Sequence, residues 1–461
     1  MKKLIRSERG RLLIAVLMIA LVVAVNGLCS AIGLSRIDLT DERVMTPKAE
    51  ALEVVNSIDT PATIIFVADD ESDNLWLSEL SRRYADANDN ISYKTVSSDS
   101  ASLSTLSAKT GLTLEAGNVV VESEKRCAVL TSDDLYSYEY DYSTYYTTGA
   151  VSYSKADFTA QNALVNALLY VSRDDMPILY TLTGHGETVQ NSKLYQICQR
   201  NNIALQTLDL SEVDAVPDDA AALLIAGPTT GYTQEEAGLI DDYLTRGGKL
   251  LLMTDYTSVL GDLEDVTAKY GMVQKGGLVL DNDDDHVYST DYRYYLLPDV
   301  ADTSYTASDA TVLMPIASAL ERGTVRRSTL NVETLITSSD QAYRKVNTDQ
   351  VSTLDKEDGD EEGCFVLAMA ATEGDTTLIW LDSIQMLSDD ADTVTSNGNS
   401  AFFLKLFDSM MTRPDGVEIE ATNMLVNGIS ASALPALCAL LVLPVALLVV
   451  VIVIRRKANK A

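Results

Sequence analysis

The chain has 461 residues, 35 of them basic and 67 acidic, for a formal net charge of −32 at pH 7. So acidic a body repels nucleic acid and anionic lipid headgroups, which argues against both as direct ligands. With two histidines and no HExxH, CxxC, GxxxxGK[ST] or GxSxG, the sequence shows no recognisable zinc site, Walker phosphate loop or hydrolase elbow.

The first element is a run without charge, Leu12 to Ser35, and a second such run covers Ala421 to Ile454. Each exceeds the ~20 apolar residues that a helix needs to cross a bilayer. Lys2, Lys3, Arg6, Arg9 and Arg11 precede the first run, while Arg455, Arg456, Lys457 and Lys460 follow the second. Excess Lys and Arg stay inside, so both termini are expected in the cytoplasm and the body between them outside. A signal peptide has a shorter apolar stretch and a small-residue cleavage site, so the first run reads as a retained helix over 12–35. The second helix is expected over 429–454, with basic flanks at 1–11 and 455–461. The flanks hold nine of the basic and one of the acidic residues, leaving a net of −40 on residues 12–454. Cys29 and Cys438 fall in the runs; Cys127, Cys198 and Cys364 are odd in number and widely spaced, so no disulfide framework is implied.

Val44, Leu52, Val55 and Ile58 suit a buried helical stripe ended by Thr60-Pro61. Ala62–Ala68 reads as a buried strand, Leu75–Ala87 as a helix, and Ile91–Val96, Val119–Glu122 and Cys127–Leu130 as strands. This alternation predicts a compact α/β domain within 36–150. Tyr136 to Tyr153 contains seven tyrosines, and spacing of two puts Tyr136, Tyr138, Tyr140 and Tyr142 on one strand face. Such rings either stack on sugars or pack against a neighbour. A connecting segment of strand and helix, 151–176, carries an amphipathic helix from Ala156 to Val171.

The second domain is expected over 177–420. Strands Pro177–Leu182, Leu205–Leu208, Ala221–Ala226 and Lys249–Thr254 alternate with helices Lys193–Asn201 and Thr233–Arg246, the latter stopped by Gly247-Gly248. This order predicts a parallel, doubly wound sheet. Residues 281–310 read as a polar insertion. Asp281, Asp283 and Asp285 have EF-hand spacing, but His286 and Tyr292 replace the turn Gly and the bidentate Glu, so a solvated loop is expected. Asp355–Glu362 (DKEDGDEE) reads as a solvated hairpin tip near strands Cys364–Ala370 and Thr377–Leu381. Helix Asn399–Met411 closes the domain.

One motif bears chemistry: Thr183-Gly184-His185-Gly186-Glu187, directly after a strand, where open α/β sheets bind ligands. Gly184 and Gly186 permit a tight turn, and His185 with Glu187 is either a proton-handling pair or a set of backbone caps. Asp255, after another strand, is a third candidate there.

These pieces together resemble the Gldg family, auxiliary components of ABC transport systems first associated with gliding motility. The resemblance rests on Asp38-Leu39-Thr40 after the first run, the TGHGE segment, and Leu223-Leu224-Ile225-Ala226-Gly227-Pro228. It continues through Glu235, Glu236, Tyr243, Leu244 and Gly247-Gly248 to Asp255. It implies a thioredoxin-like portion followed by a flavodoxin- or amidotransferase-like domain without enzyme residues. It also implies partnership with a separate ABC ATPase and a membrane permease, with no cofactor. The sequence thus predicts a non-enzymatic accessory subunit of a bacterial ABC transporter, a two-pass cell-membrane protein whose outer body meets envelope glycan or protein. The ligand or partner candidates are Gly184, His185, Gly186, Glu187, Asp255, Tyr138, Tyr140 and Tyr142; no catalytic or metal residue is assigned. The alternatives are an envelope glycan or peptide hydrolase using His185 and Glu187, and a cell-wall glycan-binding anchor using the tyrosines.

Overall fold

In a computed structural model the described residues are 38 and 40–425, save 71–73, 144, 146–148, 150–151, 188–191, 325–326 and 349–352. Among them no helix is long and apolar enough to cross a membrane. The runs expected to do so, 12–35 and 429–454, lie outside the described residues. The chain forms two units: residues 1–105, 114–168 and 417–461 in the first, and 106–113 with 169–416 in the second.

The first unit is built on helix α1 (Ala49–Ser57), strand β1 (Ala62–Val67), helix α2 (Leu75–Ala87), strand β2 (Ile91–Val96), and strands β3 (Val119–Glu122) and β4 (Cys127–Leu130). The sheet order is β2-β1-β3-β4, with β1 parallel to β2 and antiparallel to β3, and β3 antiparallel to β4. Its centre is β1, whose Ile64, Ile65, Phe66 and Val67 are buried, as a near-continuous apolar run requires of a strand covered on both faces. Asn74 caps α2 by accepting from Leu77 N, and Leu77, Leu80 and Tyr84 form that helix's buried stripe.

The tyrosine segment becomes a hairpin of β5 (Tyr136–Asp141) and β6 (Ser152–Phe158). The helix expected from Ala156 starts later, at Ala160, because Ala156 and Phe158 pair with Tyr138 and Tyr136 as strand residues. Helix α3 (Ala160–Ser172) then carries the chain into the second unit.

There the chain lays down β7 (Ile178–Thr183), α4 (Ser192–Arg200), β8 (Ala204–Asp209), β9 (Ala220–Ala226), α5 (Gln234–Thr245), β10 (Lys249–Met253), α6 (Leu263–Lys269), β11 (Met272–Gly276) and β12 (Leu278–Asp281). Strands β13 (Ala319–Arg322), β14 (Asn331–Thr337), β15 (Ala342–Lys345), β16 (Val366–Glu373) and β17 (Thr376–Leu381) follow, then helix α7 (Gly398–Met410). The main sheet runs β11-β13-β16-β17-β10-β9-β7-β8, with β14 also on β16. The five strands from β8 to β17 are mutually parallel, and the remainder is antiparallel.

Alternation along the strands divides the core between the two sheet faces. Leu224, Leu251, Met253 and Ile379 join Ile197 and Cys198 of α4 and Phe403, Phe407 and Met410 of α7 in one cluster. Leu223, Ile225, Leu250, Leu252 and Trp380 join Ile240 and Leu244 of α5 and Leu263 and Val266 of α6 in another.

Two segments expected to be solvated are tied to the fold. Asp281 is buried and accepts from Ser339 N at 3.0 Å and Ser339 Oγ at 2.6 Å. The acidic run 355–362 closes over Lys345, 1% exposed, whose Nζ reaches Asp355 O at 2.7 Å, Glu357 Oε2 at 2.9 Å and Asp360 Oδ2 at 3.1 Å. Burial lowers the Lys345 pKa, but the bonds it donates to Glu357 and Asp360 outweigh it and raise the value. Glu361 pairs with Arg344 and Lys275 beside it. A dense block of carboxylates is here the counterion set of buried cations, which desolvation would otherwise penalise heavily.

Candidate functional site

In a parallel sheet of this kind the order reverses between β7 and β9, the first strand having β8 on one side and β9 on the other. The crevice beyond the carboxyl ends at that reversal is where such sheets take ligands. The TGHGE segment stands at the end of β7, and Gly227-Pro228-Thr229-Thr230 stands at the end of β9.

The two loops are stitched together rather than parted. Thr229 N and Thr230 N donate to His185 O at 2.8 and 3.0 Å. Both glycines of the motif have left-handed backbone, with φ of +116° at Gly184 and +77° at Gly186. At Gly186 a side chain is also excluded sterically, since a Cβ would stand 2.1 Å from Thr229 Oγ1.

His185 and Glu187 are both committed to bonds within the protein. The Glu187 carboxylate accepts from His185 N at 2.8 Å and from the Tyr232 hydroxyl at 2.5 Å. The His185 ring stacks on Tyr232, centroids 4.1 Å apart, and its Nε2 lies 3.0 Å from Glu236 Oε1. The other oxygen of Glu236 accepts from Thr233 N at 2.9 Å and Thr233 Oγ1 at 2.6 Å, so one carboxylate closes the capping box of α5 and holds the histidine. Burial works to raise the Glu236 pKa, yet the bonds from Thr233 and His185 outweigh it and hold it below the usual value. Burial first, and then the Glu187 carboxylate, push the Tyr232 hydroxyl far above the ordinary tyrosine range.

Asp255 does not join this network through a hydrogen bond of its side chain. Its Oδ1 accepts from Thr257 N at 2.7 Å and Thr257 Oγ1 at 2.6 Å, shaping its own turn. That turn reaches the site through backbone, with Val259 N donating to Pro228 O and Tyr232 N to Leu260 O.

Farther along the same sheet end, Thr254 follows β10 and Asp382 follows β17. Trp380 Nε1 donates to Thr254 Oγ1 at 2.6 Å, and Thr254 Oγ1 donates to Asp382 Oδ1 at 2.6 Å. Asp382 is fully buried, and that burial pushes its carboxyl up to about 7. The second histidine, His286, sits elsewhere, between Asp283 at 3.2 Å and Asp299 at 3.4 Å. Burial lowers its pKa, but the bond and charge of Asp299, with Asp283 and Asp281, raise it on balance.

Glu236, Tyr232 and Asp382 were not candidates in the sequence. Thr233-x-x-Glu236 carries a readable capping-box signal, but nothing local reveals that its second oxygen faces a histidine 51 residues earlier. Of the tyrosine candidates, Tyr138, Tyr140 and Tyr142 are 42%, 54% and 59% exposed and belong to the first unit.

Residues 177–379 match the family model described as an ABC-type uncharacterized transport system, and so point to an auxiliary component of such a system. No curated protein matches the chain. Among solved structures, the mmIFT52 N-terminal domain is 15% identical, covering 52% of this chain and 99% of its own, at a TM-score of 0.38. PurLQS from Thermotoga maritima is 9% identical over 51% of this chain and 100% of its own, at 0.27. The exo-β-1,4-mannosidase Op5Man5 from Opitutaceae bacterium strain TAV5 is 11% identical over 74% of this chain and 49% of its own, at 0.33. Likenesses this faint carry no functional argument.

Proposed function

We propose that the chain is a non-enzymatic accessory subunit of a bacterial ABC transporter, a Gldg-type protein anchored by its two apolar runs beside a permease. Its body lies outside the cytoplasmic membrane, and a separate ATPase supplies the energy. The observation that carries this reading is the family match over 177–379, which lies within the second unit. The strand order β8-β7-β9-β10-β17 supports a flavodoxin-like doubly wound domain, and β2-β1-β3-β4 a thioredoxin-like one. What supports a coupling role over a hydrolytic one is the use of the TGHGE side chains. His185 and Glu187 hold Glu236, Tyr232 and the β9 loop, an arrangement suited to joining elements rigidly. The uncharged runs with basic flanks support the two-pass topology, with both termini cytoplasmic.

Affinity capture of the tagged full chain from native membranes in mild detergent is the test. Recovery of an ATPase with a phosphate loop and a multi-span permease is the expected result. A chain that comes away alone, at native expression, overturns the proposal. His185→Ala in the same cells separates the hydrolytic alternative: assembly retained with loss of an envelope hydrolase activity would favour the enzyme.

A further inference from the structure

The tyrosine hairpin has an orientation that its neighbour strand reveals. Strand β18 (Thr422–Asn423) pairs antiparallel with β6, Thr422 opposite Phe158 and Asn423 opposite Asp157, and Met424 N donates to Ala156 O at 2.8 Å. Because the pairing is antiparallel, the chain leaves β18 along β6 toward Tyr153 and the hairpin tip. Ile429, where the apolar run 429–454 begins, is five residues past Met424, and five residues span at most about 18 Å. Chain length alone therefore limits the start of that run to about 18 Å from Met424.

The hairpin itself is two-faced. Tyr136 and Tyr138 are stacked at 6.0 Å, Tyr138 and Tyr153 lie at 5.2 Å, Tyr140 and Tyr153 at 5.3 Å, and Tyr140 and Tyr142 at 6.2 Å, so the rings form one continuous line. Exposure rises along it from 42% at Tyr138 to 59% at Tyr142. On β5 Glu139 alternates with the rings, and on β6 a register shift between Glu139–Lys155 and Tyr140–Tyr153 sets Tyr153 beside Tyr140 while Lys155 lies between Glu139 and Asp157 at 3.7 and 3.5 Å. An uncharged line of amphipathic rings, on a hairpin whose neighbour strand lies five residues of chain before an apolar run, has the chemistry of the aromatic belt at a membrane–water interface.

We propose that the tyrosine face of the β5–β6 hairpin lies against the headgroup layer of a zwitterionic phospholipid bilayer, with Tyr142 and Tyr140 deepest and Tyr138 shallower. The acidic character of the chain disfavours anionic headgroups, which sets the lipid class. This rests on the two-pass reading above.

The test uses the full chain reconstituted in phosphatidylcholine vesicles, with one reporter at a time: Tyr142→Trp, Tyr140→Trp, Tyr138→Trp, and Leu75→Trp. Leu75 is 58% exposed and adjoins Asn74, which bonds Tyr136 at the opposite end of the line. A lipid carrying a nitroxide close to its headgroup should quench most of the emission added at 142, less at 140 and 138, and little at 75. Vesicle flotation separates two failures. A chain that does not float overturns the two-pass reading and this inference together, whereas one that floats with a flat quenching profile overturns this inference alone. Equal emission with and without quencher, but a spectral shift on adding an N-acetylglucosamine oligomer, also overturns it and assigns the face to glycan.

Discussion

The end of the second unit's sheet and the hairpin of the first unit treat functional side chains in opposite ways. At the sheet end, His185, Glu187, Glu236 and Tyr232 are turned on one another, and Asp382 is sealed behind Thr254 and Trp380. On the hairpin, Tyr138, Tyr140, Tyr142 and Tyr153 keep between 42% and 59% of their surface in solvent. The titratable side chains of the sheet end bond one another, while the tyrosines of the hairpin form an open surface. An exposed residue costs little to change, while a buried polar one leaves its partners unsatisfied. The two regions should therefore separate cleanly under mutation.

The largest effect is expected inside the second unit. Lys345→Met leaves Asp360 and Glu357 around a buried site without their cation, and removal of one partner of a buried ion pair costs ~3–5 kcal/mol. Chemical denaturation of the variant should show that loss; a change below a tenth of it would mean that the acidic loop swings into solvent freely. Gly186→Ala follows, at ~1–3 kcal/mol, from positive φ and the clash with Thr229 Oγ1. Amide hydrogen exchange should report it as lost protection around Thr229 and Thr230.

Asp382→Asn tests the sealed acid through pH. Its folded pKa, about 7, stands above the usual carboxylate value, so the folded chain binds more protons than the unfolded one between those two values. Stability drawn from this group thus falls as pH rises from about 4 to about 7, and Asn, which cannot ionise, removes the decline. Melting curves should show a higher Tm than the parent at pH 8 and little difference near pH 4. The smallest effect belongs to the hairpin: Tyr140→Ser should stay within about 0.5 kcal/mol of the parent in stability, as surface changes do. A loss as large as that of Gly186→Ala would show that the rings are structural and erase the contrast between the regions.

Much of the fold is legible along the chain because it is written in short-range patterns. The apolar runs ATIIFV and AALLIA, the glycines after α5 and the turn glycines of TGHGE each report local geometry. The hairpin is less legible, since alternating tyrosines announce a strand but not its partner, and Ala156–Phe158 of β6 fall within the expected helix. The second unit's added strands β11 to β15 have no counterpart among the expected elements, because their burial comes from pairing across long sequence distances.

Within the candidate site, the glycines and the position at a strand end were readable, but the distant partners of His185 and Glu187 were not. Glu187 is two residues from the amide it accepts, yet the hydroxyl that completes its bonding lies 45 residues away on Tyr232.

Periodicity, charge and backbone freedom are properties of neighbours, so the chain alone specified the strand–helix alternation around the parallel strands, the charge-free terminal runs and the residue types at the sheet end. Only the tertiary structure decided that the histidine is held, that the acidic run embraces Lys345, and that the tyrosines stay open. Those outcomes depend on which partners folding brings within hydrogen-bonding reach, and a carboxylate reads the same in sequence whether it faces water or a buried cation.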